Sequence, residues 1–482
     1  MIPVSKYVDQ KVAVFGLGRS GIASVRALSA GGAEVFAWDD RAQSRDEARE
    51  QGVVLSDVYE LDWSTMAALV LSPGIPFTHP EPHPVVELAN GADCPVVGDM
   101  ELFAYAREAL NIKNPVIAVT GTNGKSTTTA LIGHILDRCG RPAEVGGNIG
   151  RPVLDLDLLA DDGVYVLEIS SYQIDLTETF GADVAVLLNI TPDHLDRHGD
   201  MENYVRVKRQ LLERQGSRDT AVVGVDDQES ARMYIVLNAR GAQNVIPFSA
   251  ERPVERGIYV DGGRLYDGTR GVNTLVADLV SNPAFVGRHN WQNAAAAVAA
   301  VAAIGIGGDG VADGLKTFPG LPHRQELVAV IDGIRFVNDS KATNPVSAAR
   351  ALACYDTVYW IAGGRAKDGG FDPLDACLES VTKAYLIGVA ENRLAEFLEG
   401  RAAFERSQTL EVAVASAARD AAADGFKNPV VLLSPSCASF DQFRDFEARG
   451  AAFRDLVAAL ESDQGTVKHC TANGTAAGGR SL

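Results

Sequence analysis

The run Gly121-Thr122-Asn123-Gly124-Lys125-Ser126-Thr127 sets small residues, a lysine and hydroxyls in the order a phosphate-binding loop requires. Small residues let backbone N–H groups curl round a phosphate, and a helix beginning near Lys125 adds the positive end of its dipole. Lys125 then reaches the β/γ-phosphates, and Ser126 or Thr127 touches Mg²⁺. The spacing departs from the strict GxxxxGKS form, because Val119 stands where the first glycine belongs. An ordinary glycine turn before a helix is the competing reading.

Two further strand ends carry polar groups. Glu168 closes the apolar run Val164–Leu167, which puts a carboxylate at the carboxyl edge of a sheet, on the rim expected for the loop. Asn189-Ile-Thr-Pro-Asp193-His194 follows another such run; carboxylate, hydroxyl and imidazole there suit a divalent cation completed by phosphates and water. His194 reads equally as a plain loop histidine, and Lys208 as a solvated lysine on an amphipathic helix. Later in the chain, Arg324, Asp339, Lys341, Thr343, Lys367 and Ser439 stand in segments that follow strands or open the block, so cations and hydroxyls gather at one edge. Near the start, Gly16-x-Gly18-x-x-Gly21 between two strands, with Asp39-Asp40 ending the second, is either a nucleotide site or a packing unit whose glycines admit close helix–strand contact.

The elements that must position these residues are α/β throughout. Strand, glycine turn and helix occur at 12–31 and again at 116–140, and a third alternating block begins near Leu321. The 482 residues therefore divide into three consecutive domains: a Rossmann-like one at 1–98, a central P-loop-type domain with a mainly parallel sheet at 99–320, and a Rossmann-like one at 321–461. Residues 462–482 are small and polar without periodicity, and a disordered tail is expected there. The uncharged stretch between Arg288 and Asp309 opens with His289, Asn290, Gln292 and Asn293 and reads as a buried helix, not a bilayer span. A net charge of −19 opposes nucleic acid, so anions must be held locally. Six scattered cysteines without a CxxC pair, and Lys6, Asp9 and Lys11 breaking the first apolar stretch, point to a cytoplasmic protein with no export signal and no membrane partner; a monomer is expected.

In order and nearly end to end, from about residue 10 to 460, these motifs resemble the Mur ligase family. GTNGKST at 121–127 is common to that family and to folylpolyglutamate synthases, whereas NDSKATN at 338–344 and SPSCASFDQF at 434–443 resemble its D-glutamate-adding branch. The resemblance implies an ATP- and Mg²⁺-dependent ligase that joins D-glutamate to UDP-N-acetylmuramoyl-L-alanine in cell-wall synthesis. It implies that Lys125 and Ser126 handle phosphates and Mg²⁺, that Glu168 and His194 surround the metal, and that Asn290 and Asn293 lie near adenine. It makes Lys208 a carbamoylated lysine, a CO₂ adduct that binds metal as a carboxylate. Arg324 and Asp339 would reach ATP, and Lys341, Thr343, Lys367, Ser439 and Phe446 would surround D-glutamate. Gly18, Arg19, Ser20, Asp39, Asp40 and Gly74 would hold the uridine diphosphate end, with Asn148 nearer the sugar. Gly363-Gly364-Arg365-Ala366-Lys367 departs from the acid-before-lysine form common in relatives. An NAD-dependent dehydrogenase reading of the first glycine loop leaves GTNGKST unused, and a nucleotide sensor would bind without turnover.

Overall fold

The computed structural model describes residues 1–366 and 370–472, with side chains through Glu461; Lys367 lies outside the described residues. The chain divides into two compact units, Met1–Phe318 and Pro319–Leu482.

The first unit holds two sheets. β1 (Lys11–Phe15), β2 (Glu34–Trp38), β3 (Met66–Leu71) and β4 (Val96–Val97) make a parallel sheet in the order β2-β1-β3-β4. Its crossover helix Arg19–Ala30 buries Ile22, Ala23, Val25, Ala27 and Leu28, the helical spacing legible in the sequence. The second sheet comprises β5 (Val116–Thr120), β6 (Ala143–Gly147), β7 (Val164–Glu168), β8 (Val184–Leu187), β9 (Thr220–Gly224), β10 (Asn244–Ser249), β11 (Ile258–Asp261), β12 (Arg264–Asp267) and β13 (Thr274–Asp278). Its order is β13-β12-β11-β10-β9-β8-β5-β7-β6, parallel from β6 to β11 and antiparallel in the ribbon β11-β12-β13. The ribbon turns at Gly262 and Gly263, both at positive φ (+55° and +81°), the pair of conformations a two-residue hairpin needs.

Every residue of β5 and β7 is buried. At about 1.5–3 kcal/mol for each fully buried large apolar side chain, such strands hold the loops at their carboxyl ends on a stiff base. The Ala-rich helix Arg288–Ala303, foreseen as buried, packs on the helix Lys125–Arg138 and buries Asn290 and everything from Asn293 to Val301.

The second unit is one sheet of β14 (Glu326–Ile331), β15 (Ile334–Asn338), β16 (Val358–Gly363), β17 (Val381–Ile387), β18 (Phe404–Gln408) and β19 (Val430–Ser436), in the order β14-β15-β19-β16-β17-β18. Only β14 runs antiparallel to its neighbour. The last helix spans Phe446–Ala472 and so runs on into the segment from 462 read as a tail, where the sequence has no proline to stop it; residues 473–482 lie outside the described residues.

Candidate active site

Register brings the central residues to one rim. β5 pairs Val119 with Glu168 on β7 and Thr120 with Leu187 on β8, so the loop after β5, the end of β7 and Asn189 beyond β8 lie side by side. The loop closes into the helix Lys125–Arg138 through Gly124, which caps it at φ +86°. A Cβ on Gly124 would stand 2.1 Å from Asn293 Oδ1, so only glycine fits without moving that side chain.

Side chains beside the loop fix its shape. Thr191 N donates to Thr122 Oγ1 (3.0 Å), and that hydroxyl donates to Thr191 O (3.1 Å). Asn189 accepts from Asn123 N (2.9 Å) and donates to Asn123 O (3.1 Å). Asn293 accepts from Thr128 Oγ1 (3.3 Å) and donates to Asn290 Oδ1 (3.1 Å), while Asn290 donates to Val286 O (2.9 Å). Both asparagines are buried; Asn293 braces the first turn of the helix that the loop opens, and Asn290 holds Asn293. Lys125 Nζ folds back onto Gly121 O and Thr122 O, each at 3.0 Å, a cation held over the cradle the loop encloses.

Lys208 corrects the reading of a solvated lysine: it is 1% exposed. On the helix Met201–Glu213 it shares the buried face with Tyr204, Val207, Leu211 and Leu212. Its Nζ donates to Gly121 O (3.0 Å) and lies 4.7 Å from the Tyr204 ring centroid. Burial first, and Lys125 second, push its ammonium well below the ordinary lysine range. That enlarges the share of free amine, the form that adds CO₂.

Glu168 is 2% exposed; Oε1 accepts from Asn148 Nδ2 at 2.7 Å, and Oε2 is buried without a hydrogen-bond partner. His194 sits in the left-handed region at φ +55° before the turn Leu195–His198, half exposed. Burial, and behind it Lys125 and Lys208, hold its imidazole below the usual histidine range against the opposing Asp193. A neutral imidazole is the ligating form. Among the described residues no three His, Cys, Asp or Glu side chains converge to hold a metal by themselves. Mg²⁺ nevertheless fits this rim: it takes few protein ligands, keeping waters and phosphate oxygens, and Glu168 Oε2 is an uncommitted buried acceptor beside the loop.

The first glycine loop lies toward the same rim. Gly18 caps the helix Arg19–Ala30, Arg19 donates to Gly150 O (3.1 Å), and Ser20 is half-buried. A Cβ on Gly21 would fall 1.8 Å from Gly16 O, which is the packing role of the third glycine. Asp39 is 3% exposed and accepts from Leu17 N (2.8 Å) and Arg41 N (2.9 Å). Committed to the loop's own backbone, its carboxylate is not the outward acid that a ribose-binding dehydrogenase needs. Asp40 is the open member of the pair, touched by Tyr59 Oη (3.1 Å) and His83 Nε2 (3.3 Å). Gly74 accepts through its carbonyl from Arg197 Nη1 (2.9 Å).

In the C-terminal unit, taken by itself, Asp339 ends just past β15 and is 8% exposed. It accepts from Ser434 Oγ (2.8 Å) and Gln325 N (3.2 Å), and burial raises its carboxyl to about 7 although those bonds and Arg324 oppose the rise. Lys341 Nζ lies 3.7 Å from the Phe446 ring centroid, Thr343 N donates to Lys341 O (2.8 Å), and Ser439 is buried. Lys341, Thr343 and Phe446 are thus joined; Ser439 stands beyond β19. Arg449, which sequence reasoning missed, is 1% exposed and donates to Ser340 Oγ (3.0 Å), Ser340 O (2.8 Å) and Cys437 O (3.2 Å), tying the segments after β15 and β19 together. Its spacing of four from Phe453, itself four from Val457, both fully buried, is the signal that marks it.

Comparison with known proteins accords with this geometry. Residues 119–301 match the Mur ligase middle domain and residues 10–98 the MurD-like N-terminal domain of Mur ligases. The UDP-N-acetylmuramoylalanine–D-glutamate ligase of Phenylobacterium zucineum is 52% identical over 96% of this chain and 99% of its own. That of Rhizobium meliloti is 50% identical, again over 96% and 99%. Among solved structures, UDP-N-acetylmuramate-alanine ligase from Thermotoga maritima superposes with a TM-score of 0.56 at 16% identity, covering 94% of this chain and 100% of its own. At that identity it speaks for the fold alone.

Proposed function

This chain belongs to the Mur ligase family, and on that premise we propose that it condenses the carboxylate of UDP-N-acetylmuramoyl-L-alanine with the amine of D-glutamate, converting ATP to ADP and phosphate, in the synthesis of peptidoglycan precursors. We place it in the cytoplasm as a monomer.

The observation that carries the reading is the phosphate loop with Lys208 buried against its first carbonyl. A carboxylate does not condense with an amine unaided, because its oxide is too poor a leaving group. In the first step an oxygen of the alanyl carboxylate bonds to the γ-phosphorus and the bond to ADP breaks. In the second, the D-glutamate nitrogen bonds to the acyl carbon, phosphate departs with the oxygen it gained, and the amine proton is released. The loop N–H groups of Gly121–Thr127 and the Lys125 ammonium bind and orient the triphosphate, and they stabilise charge as it moves to the leaving oxygen.

Ser126, Glu168 and His194, with Lys208 once carbamoylated, would hold Mg²⁺, which neutralises phosphate charge. Gly18, Arg19, Ser20, Asp40 and Gly74 take the uridine diphosphate end, with Asp39 shaping their loop, and Asn148 lies toward the sugar. Arg324 and Asp339 serve ATP, and Lys341, Thr343, Lys367, Ser439 and Phe446 serve D-glutamate.

The reading is tested with substrate labelled with ¹⁸O in the alanyl carboxylate. One labelled oxygen should appear in each released phosphate. Unlabelled phosphate in the presence of amide product would overturn the acyl phosphate.

A further inference from the structure

His194 opens the turn Leu195–His198, and the reaction as derived uses only that opening residue. The far end of the turn is gripped by a loop from the N-terminal sheet. Arg197 donates from Nη1 to Gly74 O at 2.9 Å and from Nη2 to Ile75 O at 2.8 Å. Its guanidinium lies 4.7 Å from the Tyr172 ring centroid, and Tyr172 in turn stands 5.0 Å from the His194 ring. With Pro73, Ile75, Phe77 and Asp175 it also lines a small, partly open pocket. A second contact is independent of the first: Gly199 closes the turn at φ +83°, and a Cβ there would come within 2.8 Å of His79 Nε2.

We propose that Arg197 is a positioning residue that locks the Gly74 loop to the His194 turn, so that seating the nucleotide-sugar sets the imidazole in place. The inference rests on the reading above, in which Gly74 takes the nucleotide-sugar and His194 would hold Mg²⁺. Two carbonyls at a fixed separation suit a planar fork with two N–H donors, and a lysine ammonium is a point donor that does not span them in the same way. The tyrosine ring beneath fixes the fork's plane and carries the position on to His194.

The test compares wild type, Arg197→Ala and Arg197→Lys by steady-state kinetics, varying each substrate in turn, and repeats the Ala variant with guanidinium chloride at a low, non-denaturing concentration. Arg197→Ala should lower kcat/KM for the UDP-sugar substrate by about 10- to 100-fold, the loss expected for charged hydrogen bonds. KM for ATP should stay within about twofold. Free guanidinium should restore part of the lost activity, and Arg197→Lys should resemble Ala. If Arg197→Ala yields no folded protein, Arg197→Lys carries the same comparison. A merely structural arginine would change melting temperature and all three KM values together, without recovery on adding guanidinium. Unchanged kcat/KM in the variants, or an evenly spread loss that guanidinium does not relieve, overturns the inference alone. Absence of turnover in wild type overturns the reading on which it rests.

Discussion

Replacing Gly124 with Ala perturbs the phosphate loop in a way the structure makes calculable. Two costs arise. At φ +86° an L-residue sits in the left-handed region, at about 1–2 kcal/mol. The new Cβ would also stand 2.1 Å from Asn293 Oδ1. Asn293 must then swing away and abandon its bonds with Thr128 and Asn290 in a buried place, at about 1–3 kcal/mol. Gly124→Ala should therefore destabilise by roughly 2–5 kcal/mol and raise KM for ATP. Asn293→Ala alone loses the same buried bonds. The double variant has no clash left to relieve, so it should be less unstable than the sum of the singles by about 1–3 kcal/mol. Denaturant unfolding of all four proteins measures this coupling. Strict additivity, within about 0.5 kcal/mol, would refute the claim that Asn293 is the obstacle and the brace.

Lys208→Ala should abolish most turnover, and short-chain carboxylates should restore part of it by standing in for the carbamate; full activity without them would remove Lys208 from the metal site. Asp339 gives a pH signature in stability. Its native pKa of about 7 lies above the ordinary 3.8, so the native state binds the proton more tightly. The protonated carboxyl's contribution is complete below pH 4 and is lost as pH rises to 7. The gap corresponds to at most about 4 kcal/mol. Asp339→Asn keeps the shape, since the Ser434 hydroxyl can turn to accept, and its stability relative to wild type should rise across that window. Thermal melts from pH 4 to 8 showing parallel curves would contradict the burial argument.

What was legible in the sequence was what local chemistry dictates. β5, GTNGKST and the following helix carry their own signals: a run of five buried residues, glycines where φ is positive, and apolar residues at helical spacing. Glu168 at the end of β7 and the segment Asn189–His194 beyond β8 were legible for the same reason. Lys208 was not read correctly from its residue type, because lysine is usually solvated and burial is decided by the elements packed on its helix. The sequence did hold the clue that Tyr204, Val207, Leu211 and Leu212 place Lys208 within the apolar stripe. Asn290 and Asn293 were expected beside a ligand, and the bond of Asn293 to Thr128 depends on the contact between two helices distant in sequence. Asp39 was legible as an acid at a strand end, yet its commitment to Leu17 N depends on the curl of the glycine loop. The clamp of Arg197 on Gly74 and Ile75 joins residues more than a hundred positions apart, which no local pattern announces.

The central claim is met most directly by measuring ADP release and amide formation by the full chain with ATP, Mg²⁺ and UDP-N-acetylmuramoyl-L-alanine, with D-glutamate, L-glutamate, D-aspartate or no amino acid. The account predicts ADP and amide in equal amounts with D-glutamate and neither with the others. Folded protein that turns over with none of them, or that prefers another amino acid, would contradict it.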